Sequence, residues 1–390
     1  MQNKIKNEVK QLKEEIIQFA QELIQIKSIT GQEKNVALTI AKKMKELNYD
    51  EIKCDKYGNI IGSIGNGNKK IMFDSHMDTV NVNDELEWKY GAFSGDIVDG
   101  YIYGRGSCDM KGAIASSIYA GYIMKKLNLL DGKTVYISTS VMEEDYDGKA
   151  LEYILTDGGY KPDCVVICEP SELKLAIGHK GRALIKITTK GISAHGSSPE
   201  KGKNAIYTMN EILNKIKNLA LKYALNEQNG SIAVSKITSK AVSLCAIPDE
   251  CSIFIDRRLT INENYEFLVK ELDELINGFD ATWQIYDEIG KSYTNEDVVL
   301  HSFLPAWEIS LDNEFVKKAI NSYKKLYAKN LEIFKWNFST NGVSSAGKLK
   351  IPTIGFGPGS AKFAHAKDER CPISDILQAC EFYSMFVYEN

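Results

Sequence analysis

The chain has 390 residues, more than one hydrophobic core normally serves, so two or three domains are expected. Its apolar share of 44% and charged share of 26% are those of an ordinary globular protein. A formal net charge of −4, with no basic stripe along the chain, argues against nucleic acid as the main partner.

The first stretch, MQNKIKNEVKQLKEEIIQFAQELIQI, carries charge throughout. Val9, Leu12, Ile16, Phe19 and Leu23 recur three and four residues apart, which predicts an amphipathic helix, not a signal peptide or a membrane span. The expected location is the cytoplasm, with no membrane partner. Strand-like runs come next in NIIGSI, KIMFDSH, TVYISTSVMEE and CVVICEP. Between them lie a hairpin, DIVDGYIYG, turning at Asp99-Gly100, and a helix through AIASSIYAGYIMKKL. This alternation predicts an α/β layer with a mostly parallel sheet.

From about Gly178 to Tyr293 the pattern changes to strand (ALIKITTKG), helix (NAIYTMNEILNKIKNL), strand (SIAVSKITS), strand (CSIFIDRRL), helix (YEFLVKELDELINGF) and strand (ATWQIYD). That β-α-β-β-α-β order is a ferredoxin-like α+β unit. The first pattern then resumes with a helix over 313–328, a short strand near Leu331, the buried strand IPTIGFG and a last helix from Ile373. An inserted domain over 178–293, within a first domain made of 1–177 and 294–390, is the expected organisation. Cysteines stand at 54, 108, 164, 168, 245, 251, 371 and 380 without a C-x-x-C. Those in apolar runs such as VVICEP and SLCAIP read as small buried hydrophobes, and all are expected to be reduced.

The chemistry concentrates at apparent strand ends. KIMFDSHMD sets Asp74, His76 and Asp78 at every second position, so an extended chain would turn all three to one face. Asp109 sits in the glycine-rich turn GRGSCDMKGA, Glu143 and Glu144 succeed an apolar strand, Glu169 ends another, and His365 lies in the loop GPGSAKFAHAKDER. Taken singly, each acidic group reads as a solvated strand terminus. Four strand ends delivering His or carboxylate to one layer point elsewhere, because ligands of open α/β sheets gather at carboxyl ends of strands. Converging buried carboxylates need a compensating cation. Two His with three or four carboxylates exceed one catalytic zinc, which takes three protein ligands and a water. They suit two divalent ions about 3.5–4 Å apart, with one carboxylate left over as a general base. If the strand runs through Glu143 and Glu144 they face opposite ways, and ligand and base could be exchanged. Asp74 is expected to cap or pair locally. His179 and His301 lack acidic company.

In order, SHMDTV, GRGSCDMKG, MEED, CEPSE, SAHGSSP and HAKDE resemble the zinc exopeptidase and amidohydrolase family of acetylornithine deacetylase, succinyl-diaminopimelate desuccinylase and aminoacylase. The likeness spans the chain from its first helix to its end. Within it, FSTNGVSSAG, IPTIGFGPG and SLCAIPDECSIFIDRRLT look most similar to the YgeY-type hydrolases, a group linked by its label to selenium metabolism. The resemblance implies a mostly parallel-sheet catalytic domain with an inserted ferredoxin-like lid and dimerisation domain. It implies two Zn2+, with Co2+ or Mn2+ as substitutes: His76 and Glu169 on one ion, Glu144 and His365 on the other, and Asp109 between them. Asp78 would fix the His76 ring, and Glu143 would move a proton from the attacking water to the leaving nitrogen. His195, on the lid, would polarise the scissile carbonyl in the site of a partner subunit. Arg258 would hold a substrate carboxylate by a two-pronged contact, although Asp256 beside it is an alternative partner. The implied activity is hydrolysis of an amide bond in a small carboxylate-bearing substrate by a homodimer, as an N-acyl amino acid deacylase or dipeptidase.

Two departures bear on the substrate. Cys245 stands where many relatives carry a substrate-contacting Asn, and FSTNGVSSAG lacks the Arg that many have nearby. The similarity to the YgeY-type hydrolases makes a hydrolase of ureides or purine derivatives on the same metal site the first alternative. A metal-dependent binding protein without catalysis is the second, and the presence of Glu143 and His195 argues against it. A single-zinc barrel amidohydrolase would need an H-x-H pair, which the sequence does not contain.

Overall fold

The computed structural model describes residues 1–83, 85–226 and 229–390. The apolar spacing at the start of the chain forms two helices, Gln2–Gln11 and Lys13–Gln25, that meet at Leu12. Ile5, Val9, Ile16, Phe19 and Leu23 are buried on their shared face.

A nine-stranded sheet forms the base of the larger unit. Its centre is parallel: Lys133–Ser140, Lys69–His76, Cys164–Ile167 and Thr353–Gly355 lie side by side in that order. Their apolar residues, such as Ile71, Met72, Phe73, Val165, Val166 and Ile354, are wholly buried, as strands covered on both faces require. The margins bring in antiparallel strands, Ile60–Gly65 and Glu51–Cys54 on one side and Leu175–His179 and Trp307–Glu308 on the other, where Ile333–Trp336 also pairs with Leu175–His179 in parallel. The sheet is thus mixed, with a parallel heart. Helix Gly112–Lys126 packs against the last helix, Ile373–Glu389, where the Ser116 hydroxyl donates to the Ile376 carbonyl at 2.8 Å.

A five-stranded sheet carries the second hydrophobic core. Its main order is Ser231–Lys240, Glu250–Leu259, Gly181–Lys190 and Ala281–Ile285, every pairing antiparallel. Helices Ala205–Tyr223 and Tyr265–Ile276 cover one face through Met209, Ile212, Leu268 and Leu272. Asn204 and Asn264 cap the two helices by accepting backbone N–H groups. The chain enters this sheet directly from Leu175–His179. On the return, Phe303–Leu304 still pairs with Ala183 and Arg182 before Trp307–Glu308 rejoins the larger sheet. Between them, Asp287–Lys291 and Asp297–His301 form a separate hairpin. Tyr293 at its tip donates to the Gly58 carbonyl at 2.9 Å, so the hairpin reaches back to the first unit.

All eight cysteines are free, six of them buried and Cys54 and Cys245 exposed. No helix among the described residues is long and apolar enough to cross a membrane.

Candidate active site

The parallel strands end together, and each end leads into an acidic residue or a histidine. His76 is the last residue of its strand. Lys133–Ser140 stops before the acidic pair, and Met142 adopts a positive φ of 58°, so Glu143 and Glu144 belong to a turn. The condition under which they would face opposite ways, a strand running on through both, is therefore not met. Glu169 lies just past Cys164–Ile167, and His365 lies in the loop after Thr353–Gly355.

These groups converge. His76 Nε2 lies 2.9 Å from Asp109 Oδ1, 3.6 Å from Glu169 Oε1 and 4.0 Å from Glu143 Oε2. His365 Nε2 lies 2.9 Å from Glu144 Oε2 and 3.4 Å from Asp109 Oδ2. Asp109 therefore turns one carboxylate oxygen to each histidine. Two groups of potential ligand atoms result, His76 with Glu143 and Glu169, and His76 with Asp109 and Glu144. Asp78 supports them from behind. Its Oδ1 accepts the Glu143 N–H at 3.0 Å, and its Oδ2 accepts the Glu144 N–H at 3.1 Å and the Thr30 hydroxyl at 2.9 Å. Its main-chain carbonyl lies 3.0 Å from His76 Nδ1, and Oδ1 lies 3.5 Å from the same nitrogen.

Crowded like charges out of water perturb every member. Burial, reinforced by Asp109, raises the Glu144 carboxyl to about 7. Burial likewise pushes Glu143 and Glu169 well above the ordinary carboxylate range, with neighbouring carboxylates adding to it. Hydrogen bonds to Asp109 and Glu144 raise His365 to about 10. Burial opposes charge on His76, yet Glu169, Asp109 and Asp78 together hold its pKa well above the usual imidazole value. Two imidazoles face five carboxylates in this cluster, those of Asp78, Asp109, Glu143, Glu144 and Glu169. Divalent cations at its centre would remove that imbalance, and the donor set of imidazole and carboxylate is of the kind that binds them. Glu143 Oε1 is buried without a hydrogen-bond partner among the described residues.

The cluster opens into a cavity of about 290 Å³ whose lining also includes Arg182, Arg258, Asp147, Phe338 and Ser339. Arg182 and Arg258 are directly opposite each other in the antiparallel pair Gly181–Lys190 and Glu250–Leu259. Like charges in such a pair repel unless countered. Asp256 counters Arg258 with two contacts, at 2.8 and 3.0 Å. Arg182 is less well served: Asp147 and Asp256 approach to 3.7 and 3.9 Å, and its buried Nε has no hydrogen-bond partner among the described residues.

Asp74 does not pair locally, as the sequence suggested. Buried beneath the cluster, it accepts from Asn341 Nδ2 at 2.8 Å, across 267 positions of chain, and burial lifts it to about 6. His195 stands outside the cluster, exposed in the loop after Gly181–Lys190, where its Nδ1 accepts the Ser197 N–H at 3.1 Å. Cys245 is its neighbour, since the Cys245 carbonyl accepts the Gly196 N–H at 2.7 Å. Arg182, Asp147 and Phe338 carry no signal in the sequence that marks them for the site. Arg182 falls in GHKGR at a strand start, and only the register with Arg258 brings it to notice.

The model of peptidase family M20/M25/M40 matches residues 72–389. The uncharacterized protein YgeY of Escherichia coli (strain K12) is 36% identical over 363 residues, covering 92% of this chain and 90% of its own. Acetylornithine deacetylase of Buchnera aphidicola subsp. Schizaphis graminum is 28% identical over 336 residues, covering 80% and 78%. Among solved structures, the YxeP protein of Bacillus subtilis, described as a dinuclear metal-binding peptidase, superposes with a TM-score of 0.71 at 14% identity. That match covers 97% of this chain and 98% of YxeP.

Proposed function

Since this chain belongs to peptidase family M20/M25/M40 and is a metal-dependent hydrolase acting on amide or peptide bonds, we propose that it cleaves an amide bond in a small carboxylate-bearing molecule. N-acyl amino acids and dipeptides are the substrate classes. The observation that carries this reading is the Asp109 carboxylate set between His76 and His365. His76 and Glu169 would hold one divalent cation, Glu144 and His365 a second, and Asp109 both. Zinc comes first, and cobalt and manganese accept the same donors. When bound, such ions supply positive charge that lowers the pKa of water toward about 7 and polarises a carbonyl.

Glu143 is the proton carrier. Its Oε1, which has no hydrogen-bond partner among the described residues, and its raised pKa suit a group that takes a proton from the attacking water and gives it to the leaving nitrogen. Asp78 holds the Glu143 and Glu144 backbone and faces the second nitrogen of His76, so it positions base and ligands together. The facing guanidinium groups of Arg182 and Arg258 receive the substrate carboxylate.

Residues 178–293 act as an inserted lid on a catalytic unit made of 1–177 and 294–390, closing the cavity and excluding water. The same unit serves as the dimer surface. Its sheet ends in the edge strand Ser231–Lys240, where Val234 and Ile237 are exposed, and an unpaired edge of this kind invites a second strand. His195, exposed on that unit, would then reach the cavity of the other copy and polarise the scissile carbonyl. Cys245 beside it leaves the acyl group open, and a ureide or purine-derived substrate is the second reading.

Metal analysis of freshly purified protein tests the proposal. About two equivalents per chain, falling when His76→Ala or Glu144→Ala is made, are expected. A panel of N-acyl amino acids, dipeptides and carbamoyl compounds then separates the two readings. A chain that stays metal-free after zinc is supplied refutes both.

A further inference from the structure

The bridging role of Asp109 depends on where its backbone is held, and one buried carboxylate holds it. Glu369 Oε1 accepts the N–H groups of both Cys108 and Asp109, each at 2.9 Å. Its other oxygen accepts from Arg105 Nη1 at 2.7 Å, and Arg105 Nη2 lies 3.4 Å from the His365 carbonyl. Gly104 N–H donates to the Glu369 carbonyl at 2.9 Å, which closes the two loops together. Glu369 is fully buried and Arg105 nearly so, its guanidinium 5.2 Å from the Trp88 ring centroid.

Stability does not account for this arrangement. A buried ion pair gives up so much hydration that an apolar pair of similar volume is often as stable or more so. An apolar pair could not, however, accept two adjacent N–H groups from one loop while donating to the carbonyl of another. The two loops in question carry Asp109 and His365, the two residues whose side chains lie 3.4 Å apart at the centre of the site.

We propose that Glu369, gripped by Arg105, is a positioning residue that sets the Asp109 carboxylate between the two metal positions and fixes its distance to His365. The inference rests on the metal reading given above and assigns residues that touch neither metal nor substrate. Partners of this kind behind metal ligands are typically worth about 10–100-fold in metal affinity.

The test compares wild type, Glu369→Gln and Arg105→Lys, each stripped with chelator and titrated with zinc chloride against a chromophoric competitor. Measurements are made at low temperature, where far-UV circular dichroism confirms folding. In Glu369→Gln the amide offers one acceptor oxygen and turns an NH₂ toward donors. Zinc affinity at one or both positions is expected to fall about 10–100-fold, with an altered visible spectrum when cobalt chloride is substituted. Arg105→Lys keeps the charge and loses the fork, so a smaller fall in the same direction is expected. A merely structural pair would lower the unfolding temperature of the stripped protein and leave the affinities of the folded protein unchanged. That outcome overturns the proposal. If Glu369→Gln does not fold, Arg105→Lys decides alone, and unchanged affinities there overturn it equally. A wild type that binds no zinc is a different failure, because it removes the metal reading itself and this proposal with it.

Discussion

Replacing Asp78 by Asn keeps the shape of the side chain and removes its charge, and the hydrogen bonds around it set the cost. The carboxylate accepts three of them: from the Glu143 N–H on Oδ1, and from the Glu144 N–H and the Thr30 hydroxyl on Oδ2. An amide has only one acceptor oxygen. Its best placement keeps the two donors at the Oδ2 position and turns the NH₂ toward the Glu143 N–H. Orphaning that buried N–H costs about 1–3 kcal/mol, and the two surviving bonds lose charge assistance worth about 1 kcal/mol each. The total, about 3–5 kcal/mol, corresponds to a fall of roughly 6–10 °C in the unfolding temperature of the metal-stripped protein, at about 2 °C per kcal/mol for a unit of this size. Because the orphaned N–H belongs to the proposed base, kcat should fall about 10²–10⁴-fold even where metal is restored. Scanning calorimetry of the stripped protein and steady-state rates on zinc-loaded protein provide the two numbers. Thr30→Val, which removes one neutral donor from the same carboxylate, should cost only about 1 kcal/mol. An Asp78→Asn protein with an unfolding temperature within about 1 °C of wild type would refute the reasoning, since the three bonds would then be ornamental.

Arg182→Met should raise KM for carboxylate-bearing substrates by about 10–100-fold, alongside some loss of stability from leaving the buried Asp147 without its counter-charge; an unchanged KM, or a loss confined to stability, would remove it from substrate binding. His179 is buried, its Nδ1 lies 2.8 Å from the Lys180 carbonyl, and its Nε2 accepts the Thr340 N–H at 3.3 Å. Burial depresses its pKa to about 4. A histidine held neutral contributes stability that is fully present above the unfolded value of about 6.5 and lost as pH falls below it. Between pH 7 and 5 this loss should be about 2 kcal/mol for wild type and absent from the same comparison in His179→Gln; parallel denaturation curves for the two proteins at both pH values would contradict it.

Local pattern made the strands and the acidic strand ends legible, for a physical reason. A strand buried on both faces must be an unbroken apolar run, so VVI and IMF declare themselves. The residues just beyond such a run fall at a sheet end by geometry alone. His76, Glu143, Glu144 and Glu169 can therefore be picked out from the order of residues, and His365 from the glycine-rich loop that follows Thr353–Gly355. The strand–helix order of residues 181–285 was legible on the same terms, because periods of two and 3.6 alternate there. What the sequence hid depends on register and on long closures. Arg182 means little until it stands opposite Arg258. Asp74 looks like a third member of the His76 face until Asn341, far along the chain, claims it below the site. The hairpin Asp287–His301 has a weak pattern because only one face of its second strand is buried, at Val298 and Leu300, while Ile289 and Val299 face outward. Glu369 stands in HAKDER as no more than the neighbour of a metal-ligand candidate. Its partners Cys108, Asp109 and Arg105 lie more than 250 positions away, and no periodicity links the two loops. Groups that could meet a metal announce themselves by residue type at strand ends. Groups that aim those ligands are ordinary side chains whose meaning lies in what they accept from, and that is fixed only when distant loops close on one another.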